Sequence, residues 1–328
     1  MSVRWGFLGA GRIARVLATA VQGTGDQVLQ AVGARDAARA AALDPVRAYG
    51  SYEPVLADPD VDAVYVALPN DAHLPWTLAA LRAGKDVLCE KPLGLTAAEV
   101  DQMAAAAAQS GRRVVEASWY RWHPRVRLAQ ELLPRIGPVR HVAAGFTARL
   151  DLEGDYRSLR EHGGGALYDV GCYAVSACLW AVGRGVPDDV VARTEPAASG
   201  VDLDTRAILA WEPTAEHPGA EAEVHAGLSA DRGQWLVVRG DAGELELRGA
   251  PFTSGRGEDT ELWLSDGTST ERLPVPAADP YVRMLEEVGS SFRGGDGWVL
   301  PLEESRQTAA VLDACFASAV AGGEPVRP

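Results

Sequence analysis

The chain is short of positive charge. It carries 31 lysines and arginines against 45 aspartates and glutamates, a net charge of −14. Phosphate backbones are gripped by clustered Lys and Arg, so this balance argues against nucleic acid as a partner. Anionic membrane surfaces are disfavoured for the same reason. An anionic cofactor is not excluded, because local groups rather than net charge decide its binding. Cysteine is scarce as well. Cys89, Cys172, Cys178 and Cys315 form no C-x-x-C pair and no zinc spacing. Isolated thiols of this kind point to buried, reduced side chains in a cytoplasm. No cluster of His, Asp and Glu has ligand spacing, so no metal is expected and a metal-dependent hydrolase is set aside. Long apolar runs are missing too; none approaches the ~18–20 residues that span a bilayer. The apolar run at residues 3–8 is too short for the core of a signal peptide. The expectations are a cytoplasmic location and no membrane partner.

What is present fits a globular protein of two domains. The 328 residues exceed one domain at the usual ~100–200 residues each. Over residues 1–120, strand and helix patterns alternate. Strands are expected at 3–8, 27–33, 62–68, 86–89 and 113–117, and helices at 12–21, 36–42 and 72–83. Gly84 should close the last of these in a left-handed conformation. Thr96 with Glu99 makes a capping box for a further helix that runs to Gly111. Repeated βα units imply a doubly wound parallel sheet. Over residues 121–328 the texture changes. Helices are expected at 124–133, 166–182, 280–293 and 303–321. Between them, strand-like runs recur at 139–150, 205–211, 223–228, 235–239, 243–247 and 261–264, separated by Gly and Asp turns. The fold class expected is α/β, with a Rossmann domain and a second α+β domain carrying an open, largely antiparallel sheet.

Gly9-Ala10-Gly11-Arg12-Ile13-Ala14 follows the first strand and opens the first helix. This is the G-x-G-x-x-A form of the dinucleotide fingerprint, in the context that the motif requires. Gly9 makes the tight turn, Gly11 lets a pyrophosphate approach the backbone, and Ala14 keeps helix and strand close. Past the second strand the chain reads Ala34-Arg35-Asp36, with Arg39 a helical turn on. A guanidinium there suits a 2′-phosphate better than the acid that receives the NAD ribose, so NADP is favoured, with NAD possible. The alternative is a solvated Arg35 paired with Asp36.

Glu90-Lys91-Pro92 ends the strand at 86–89, so its charges lie at the carboxyl edge of the sheet. Pro92 restricts Lys91, which aims the ammonium. An ammonium at a cofactor crevice can stabilise a developing alkoxide. A surface lysine beside a strand end is the plainer alternative. Asp169 and Tyr173 stand four apart on the expected helix at 166–182, hence on one face. A tyrosine hydroxyl near a positive charge can act as a general acid; a core aromatic is the other reading.

Five motifs together resemble a known family. They are G-x-G-x-x-A, Ala67-Leu68-Pro69-Asn70-Asp71-Ala72-His73, Glu90-Lys91-Pro92, Tyr120-Arg121-Trp122-His123-Pro124, and Asp169-Val170-Gly171-Cys172-Tyr173. In this order they resemble the glucose–fructose oxidoreductase / inositol dehydrogenase / rhizopine catabolism (Gfo/Idh/MocA) family. Tyr173, where inositol dehydrogenases carry His, is similar to the dihydrodiol dehydrogenases and deoxysugar 3-ketoreductases. The resemblance implies an NAD(P)-dependent oxidoreductase acting on a CH–OH or C=O carbon of a sugar or ketosugar. It implies Lys91 as the catalytic lysine, with Tyr173 and Asp169 beside it. It implies a cofactor held by Gly9, Gly11, Arg12, Ile13, Ala34, Arg35, Arg39, Leu68, Asn70, His73, Glu90, Lys91, Arg121 and Trp122. The substrate implied is a free aldose or diol, or a nucleotide-linked ketosugar. An oligomer interface on the C-terminal sheet is implied as well; a homodimer or homotetramer is expected there, because Trp211, Leu228, Trp235, Val237 and Trp263 can supply an apolar sheet surface. A non-catalytic dinucleotide sensor is the competing class. Such proteins tend to lose the lysine or the helix-borne acid, and this chain keeps both.

Overall fold

The computed structural model of the chain describes residues 2–253 and 256–328. They fall into two compact units. The first holds residues up to 94, then 98–119 and 281–302; the second holds 95–97, 120–280 and 303–328.

The first unit is built on six strands: β1 (Arg4–Leu8), β2 (Val28–Gly33), β3 (Arg47–Tyr49), β4 (Ala63–Val66), β5 (Asp86–Cys89) and β6 (Val114–Glu116). They lie in the order β3-β2-β1-β4-β5-β6 and every pair is parallel. This is the doubly wound order, and its switch point lies between β1 and β4. β4 and β5 are buried at every residue, as strands covered on both faces must be. The connecting helices are α1 (Arg12–Gly23), α2 (Ala37–Ala41), α3 (Glu53–Ala57), α4 (His73–Arg82) and α5 (Ala97–Ser110). Gly84 follows α4 at φ +74°, the left-handed closure that its position predicts. β3 and α3 are additions to the expected elements. Three and five residues are too few to show a period.

Sequence order alone does not set the boundary. The helix Pro280–Phe292 is placed late in the chain, yet from Tyr281 on it belongs to the first unit. A buried polar chain holds it there. Trp5 Nε1 donates to Gln27 Oε1 at 2.5 Å, and Gln27 Nε2 donates to Leu285 O at 2.8 Å. Tyr281 stacks on Trp119 with ring centroids 4.6 Å apart.

The second unit contains β7 (Val139–Thr147), β8 (Asp189–Pro196), β9 (Asp202–Trp211), β10 (Ala220–Gly227), β11 (Gly233–Gly240), β12 (Gly243–Leu247), β13 (Thr260–Ser265) and β14 (Thr270–Val275). The order is β14-β13-β12-β11-β7-β10-β9-β8. Neighbours are antiparallel except β7 and β10, which run parallel. Between those two the chain makes a long crossover that includes α7 (Cys172–Val182), and such a crossover permits a parallel return. α6 (Pro124–Leu132) precedes the sheet.

α7 covers one face of this sheet and buries all but the last of its residues. Leu236, Val238, Ala222, Val224 and Leu209 alternate toward the covered side and are at most 2% exposed. The helical stretch Arg160–Val182 has the length and apolarity of a membrane span, which corrects the expectation that no run approaches that size. It is mostly buried within the unit, as a central core helix is.

Candidate active site

In the first unit, β1 delivers the chain into Gly9 at φ +107°. A Cβ there would lie 2.4 Å from Ala67 O, at the end of β4, so the turn fits only a glycine. Gly9 N donates to Gly33 O at 2.9 Å, which ties the turn to β2. Gly11 is the residue that precedes α1, and a Cβ placed on it would meet open space. No side chain caps α1, and its first turn carries no acid. The N–H groups of that turn therefore present a positive end, suited to a pyrophosphate. Ala14 is fully buried against the sheet; Arg12 is exposed and Ile13 half-buried. The residues present fit a dinucleotide.

Arg35 and Arg39 are exposed beyond β2, and Ala34 is buried. Asp36, the alternative partner of Arg35, is occupied as the cap of α2: its Oδ1 accepts from Ala38 N at 2.8 Å. Leu68 lies against the glycine turn, its Cδ2 3.3 Å from where a Gly9 Cβ would stand.

Around Glu90-Lys91-Pro92 the interior is polar and ordered. Glu90 is 7% exposed, and its Oε1 accepts from Tyr65 Oη at 2.5 Å. Burial raises the Glu90 carboxyl above its usual range, while Tyr65 and the Lys91 charge pull it down. Glu116 Oε1 accepts from Leu93 N at 3.1 Å and holds the turn from β6. His73 is fully buried. Its Nδ1 is 2.8 Å from Pro92 O and its Nε2 3.0 Å from Leu68 O. The ring thus braces the loop after β4 against the turn after β5. Burial holds its pKa down, and the Lys91 charge adds to that. Asn70 is buried beside it, in a 3₁₀ turn. Lysines number two in the chain, Lys85 and Lys91. Lys85 Nζ donates to Val61 O and Asp58 O at 2.6 and 2.9 Å, which fixes it as an anchor.

In the second unit, Tyr120, Arg121, Trp122 and His123 are each at most 3% exposed. Arg121 pairs with Glu304 at 2.7 Å. His123 Nδ1 accepts from Arg125 N at 3.0 Å and so caps α6. Tyr120 Oη donates to Ser176 Oγ at 2.9 Å, and burial pushes its pKa up to about 12. Tyr173 is 5% exposed, its ring within 6 Å of those of Tyr120, Phe146 and Phe252. Asp169 sits in a π-helical turn, Leu167–Gly171, that leads into α7, where a regular α-helix had been expected. The wider π turn shifts the phase between Asp169 and Tyr173 from that of a simple four-residue step. Arg157 Nε lies 2.9 Å from Asp169 Oδ2, and this carboxylate raises the Arg157 pKa. Sequence reasoning missed Arg157, which reaches Asp169 from a short 3₁₀ turn, Tyr156–Ser158, that carries no motif.

On the uncovered face of the sheet, Trp235 lies flat over Gly145; a Cβ on Gly145 would be 2.1 Å from its ring. His225 stands edge-on to that ring and pairs with Asp204 at 2.8 Å. Trp235, His225 and Asp204 border a groove of about 840 Å³ with Arg193, Arg206 and Glu223. Trp211 and Leu228, expected on this surface, are instead 2% and 1% exposed. Alternation puts Trp211 on the covered side of β9. Trp235, Val237 and Trp263 are half-buried.

A fingerprint turn at the switch point of a doubly wound sheet, with a Glu-Lys-Pro turn whose Glu90 and Pro92 are buried and whose Lys91 is half-buried, defines a dinucleotide-dependent oxidoreductase. Comparison with known proteins agrees. Residues 3–118 match the oxidoreductase family with an NAD-binding Rossmann fold, and residues 126–246 match the GFO/IDH/MocA C-terminal domain. The chain belongs to the Gfo/Idh/MocA family of NAD(P)-dependent oxidoreductases. It is 35% identical to D-xylose 1-dehydrogenase (NADP(+)) 2 of Haloferax volcanii, over 89% of this chain and 90% of that one. It is 38% identical to the trans-1,2-dihydrobenzene-1,2-diol dehydrogenase of Danio rerio, over 86% and 82%. Among solved structures, it resembles the 3-ketoreductase KijD10 of Actinomadura kijaniata, bound to NADP and TDP-benzene. The TM-score is 0.86 at 27% identity, over 97% and 98% of the two chains.

Proposed function

We propose that this protein is an NADP(H)-dependent sugar oxidoreductase. The observation that carries the reading is the pair of buried supports, Glu90 with Tyr65 and His73 with Pro92, around a lysine at the cofactor end of the sheet. When bound, the nicotinamide carries hydride to or from the substrate carbon. The Lys91 ammonium stabilises negative charge on the substrate oxygen. The Tyr173 hydroxyl gives or takes the proton at that oxygen. Asp169, held by Arg157, orients the groups around it. Relatives at 35–38% identity are named for a free pentose and a cyclic diol, which favours a free aldose or diol over a nucleotide-linked ketosugar. NADP(+)-linked oxidation assayed over a panel of aldoses and trans-diols tests the activity. A chain that binds NADP but turns over neither these nor ketosugars would be a sensor instead.

The cofactor reading has its own test. If Arg35 clamps a 2′-phosphate, Arg35→Ala weakens NADP by roughly 1.5–3 kcal/mol and spares NAD. Equal losses for the two cofactors would remove Arg35 as the discriminator. We further propose a cytoplasmic location, on the scarcity of cysteine in the sequence.

We also infer a homodimer or homotetramer through the uncovered sheet face. Trp235 supplies its apolar centre, while Arg193, Arg206, Glu223 and Asp204 give the mixed charge that a self-complementary contact uses. Trp235→Glu should shift sedimentation toward the monomer. A monomeric wild type at micromolar concentration would sink this idea.

A further inference from the structure

The segment after β3 crosses the end of β2 in close contact. Tyr49 pairs with Gly33 in the parallel register, and Ala34 N donates to Tyr49 O at 3.1 Å. A Cβ on Gly33 would lie 2.5 Å from Ser51 O and 3.2 Å from Tyr52 Cα, so only a glycine lets this segment pass. Gly50 lies over the start of α2, where its Cβ would come 3.8 Å from Ala37 N. Tyr52 is thereby set beside the stretch that carries Ala34, Arg35 and Arg39.

The Tyr52 ring is half-buried and held edge-on by Trp76 of α4, with centroids 4.9 Å apart and planes at 83°. Burial raises the phenol's pKa, while the Arg35 and Arg39 charges act on it in the opposite sense. The hydroxyl therefore stays a donor at neutral pH and lies in the field of both guanidiniums. Among the described residues, neither arginine has a carboxylate partner. The acids nearest in sequence are engaged: Asp36 caps α2, and Glu53 accepts from Ser51 and from backbone. Two cations and a phenol donor thus converge without a counter-ion, which is the donor set of an anion site. Ala34 offers no hydroxyl to it.

We propose that Tyr52 is a specificity-determining residue whose hydroxyl donates to the 2′-phosphate of NADP, alongside Arg35 and Arg39. The inference rests on the NADP reading above and adds a third ligand to it. The test titrates NADP, NAD and 2′,5′-ADP against wild type, Tyr52→Phe and Arg35→Ala. Phenylalanine keeps the ring and its contact with Trp76, so unchanged NAD affinity checks the fold. One lost hydrogen bond to a charged group predicts about tenfold weaker binding of NADP and 2′,5′-ADP by Tyr52→Phe. Unchanged NADP affinity in Tyr52→Phe, beside a selective loss in Arg35→Ala, overturns the inference and leaves the cofactor reading standing. Unchanged NADP affinity in both variants overturns the two together. Equal weakening of NADP and NAD in Tyr52→Phe also overturns it, because the hydroxyl would then serve the shared part of the cofactor.

Discussion

Lys91→Ala is expected to slow hydride transfer by two to three powers of ten, the loss of about 2.7–4 kcal/mol of charge stabilisation. The reason lies in how the turn is held. Glu90 is buried with Tyr65 on one oxygen, and the Lys91 charge lowers the cost of keeping that carboxylate ionised. Lys91 is thus part of an ordered charge pattern. Tyr173→Phe should cost about 10²–10⁴-fold in turnover, because it removes a proton donor. The ring stays among Tyr120, Phe146 and Phe252, so packing is preserved. Affinity for NADP should hold in Tyr173→Phe, since the pyrophosphate is expected at Gly9 and Gly11; Lys91 is itself an expected cofactor contact, so Lys91→Ala is read with NADP at saturation. The double variant should lose less than the product of the two, as groups acting at one atom are non-additive. Single-turnover absorbance of the nicotinamide measures the step, with binding titrated apart from it. Near-normal transfer by Tyr173→Phe would reassign the acid. Tyr120 would be a poor substitute, with its hydroxyl shared by Ser176 and Trp180 and its pKa pushed up to about 12.

The parts of the fold that sequence disclosed are those with a repeating physical cause. β4 and β5 are buried on both faces, so their apolar runs stand out. Gly9 is forced by the closeness of Ala67 O, so its motif is legible without coordinates. The parts that stayed hidden depend on contacts across the chain. Gln27 and Leu285 are 258 residues apart, and no local pattern announces that the helix Pro280–Phe292 joins the first unit. The period of a strand shows which side chains share a face but not which face is open. That is why Trp211 was expected at a surface and is buried, while Trp235 sits on the uncovered side. Tyr52 lies on a three-residue strand's exit, with no motif around it. Its proximity to Arg35 follows from strand order β3-β2, which sequence does not print.

Gly165→Ala should be among the most damaging single changes for stability. Gly165 has φ +110°, and a Cβ there would stand 2.0 Å from Asp202 Oδ1. Asp202 cannot easily withdraw. It is 3% exposed, and its Oδ2 accepts from Leu167 N at 2.7 Å and from Thr205 Oγ1 at 2.9 Å. A carboxylate from β9 thus caps the start of the helical run that ends in α7, and Gly165 leaves the space for it. An alanine adds backbone strain of roughly 1–2 kcal/mol. It also overpacks a buried site or displaces a charged cap, which together brings the expected loss to about 3–5 kcal/mol. Against a typical domain stability of about 5–15 kcal/mol, that is a large share. Gly183→Ala is the matched control. Its φ of +70° is also positive, but nothing lies within 4 Å of the added carbon. It should lose only the backbone part, about 1 kcal/mol. Urea unfolding of the two variants separates strain from collision. Equal losses at the two positions would mean that Asp202 yields freely and does not act as a fixed cap. If the cap is fixed, Asp202→Ala placed on top of Gly165→Ala should cost less than it does in the wild type, because the two changes act on one contact.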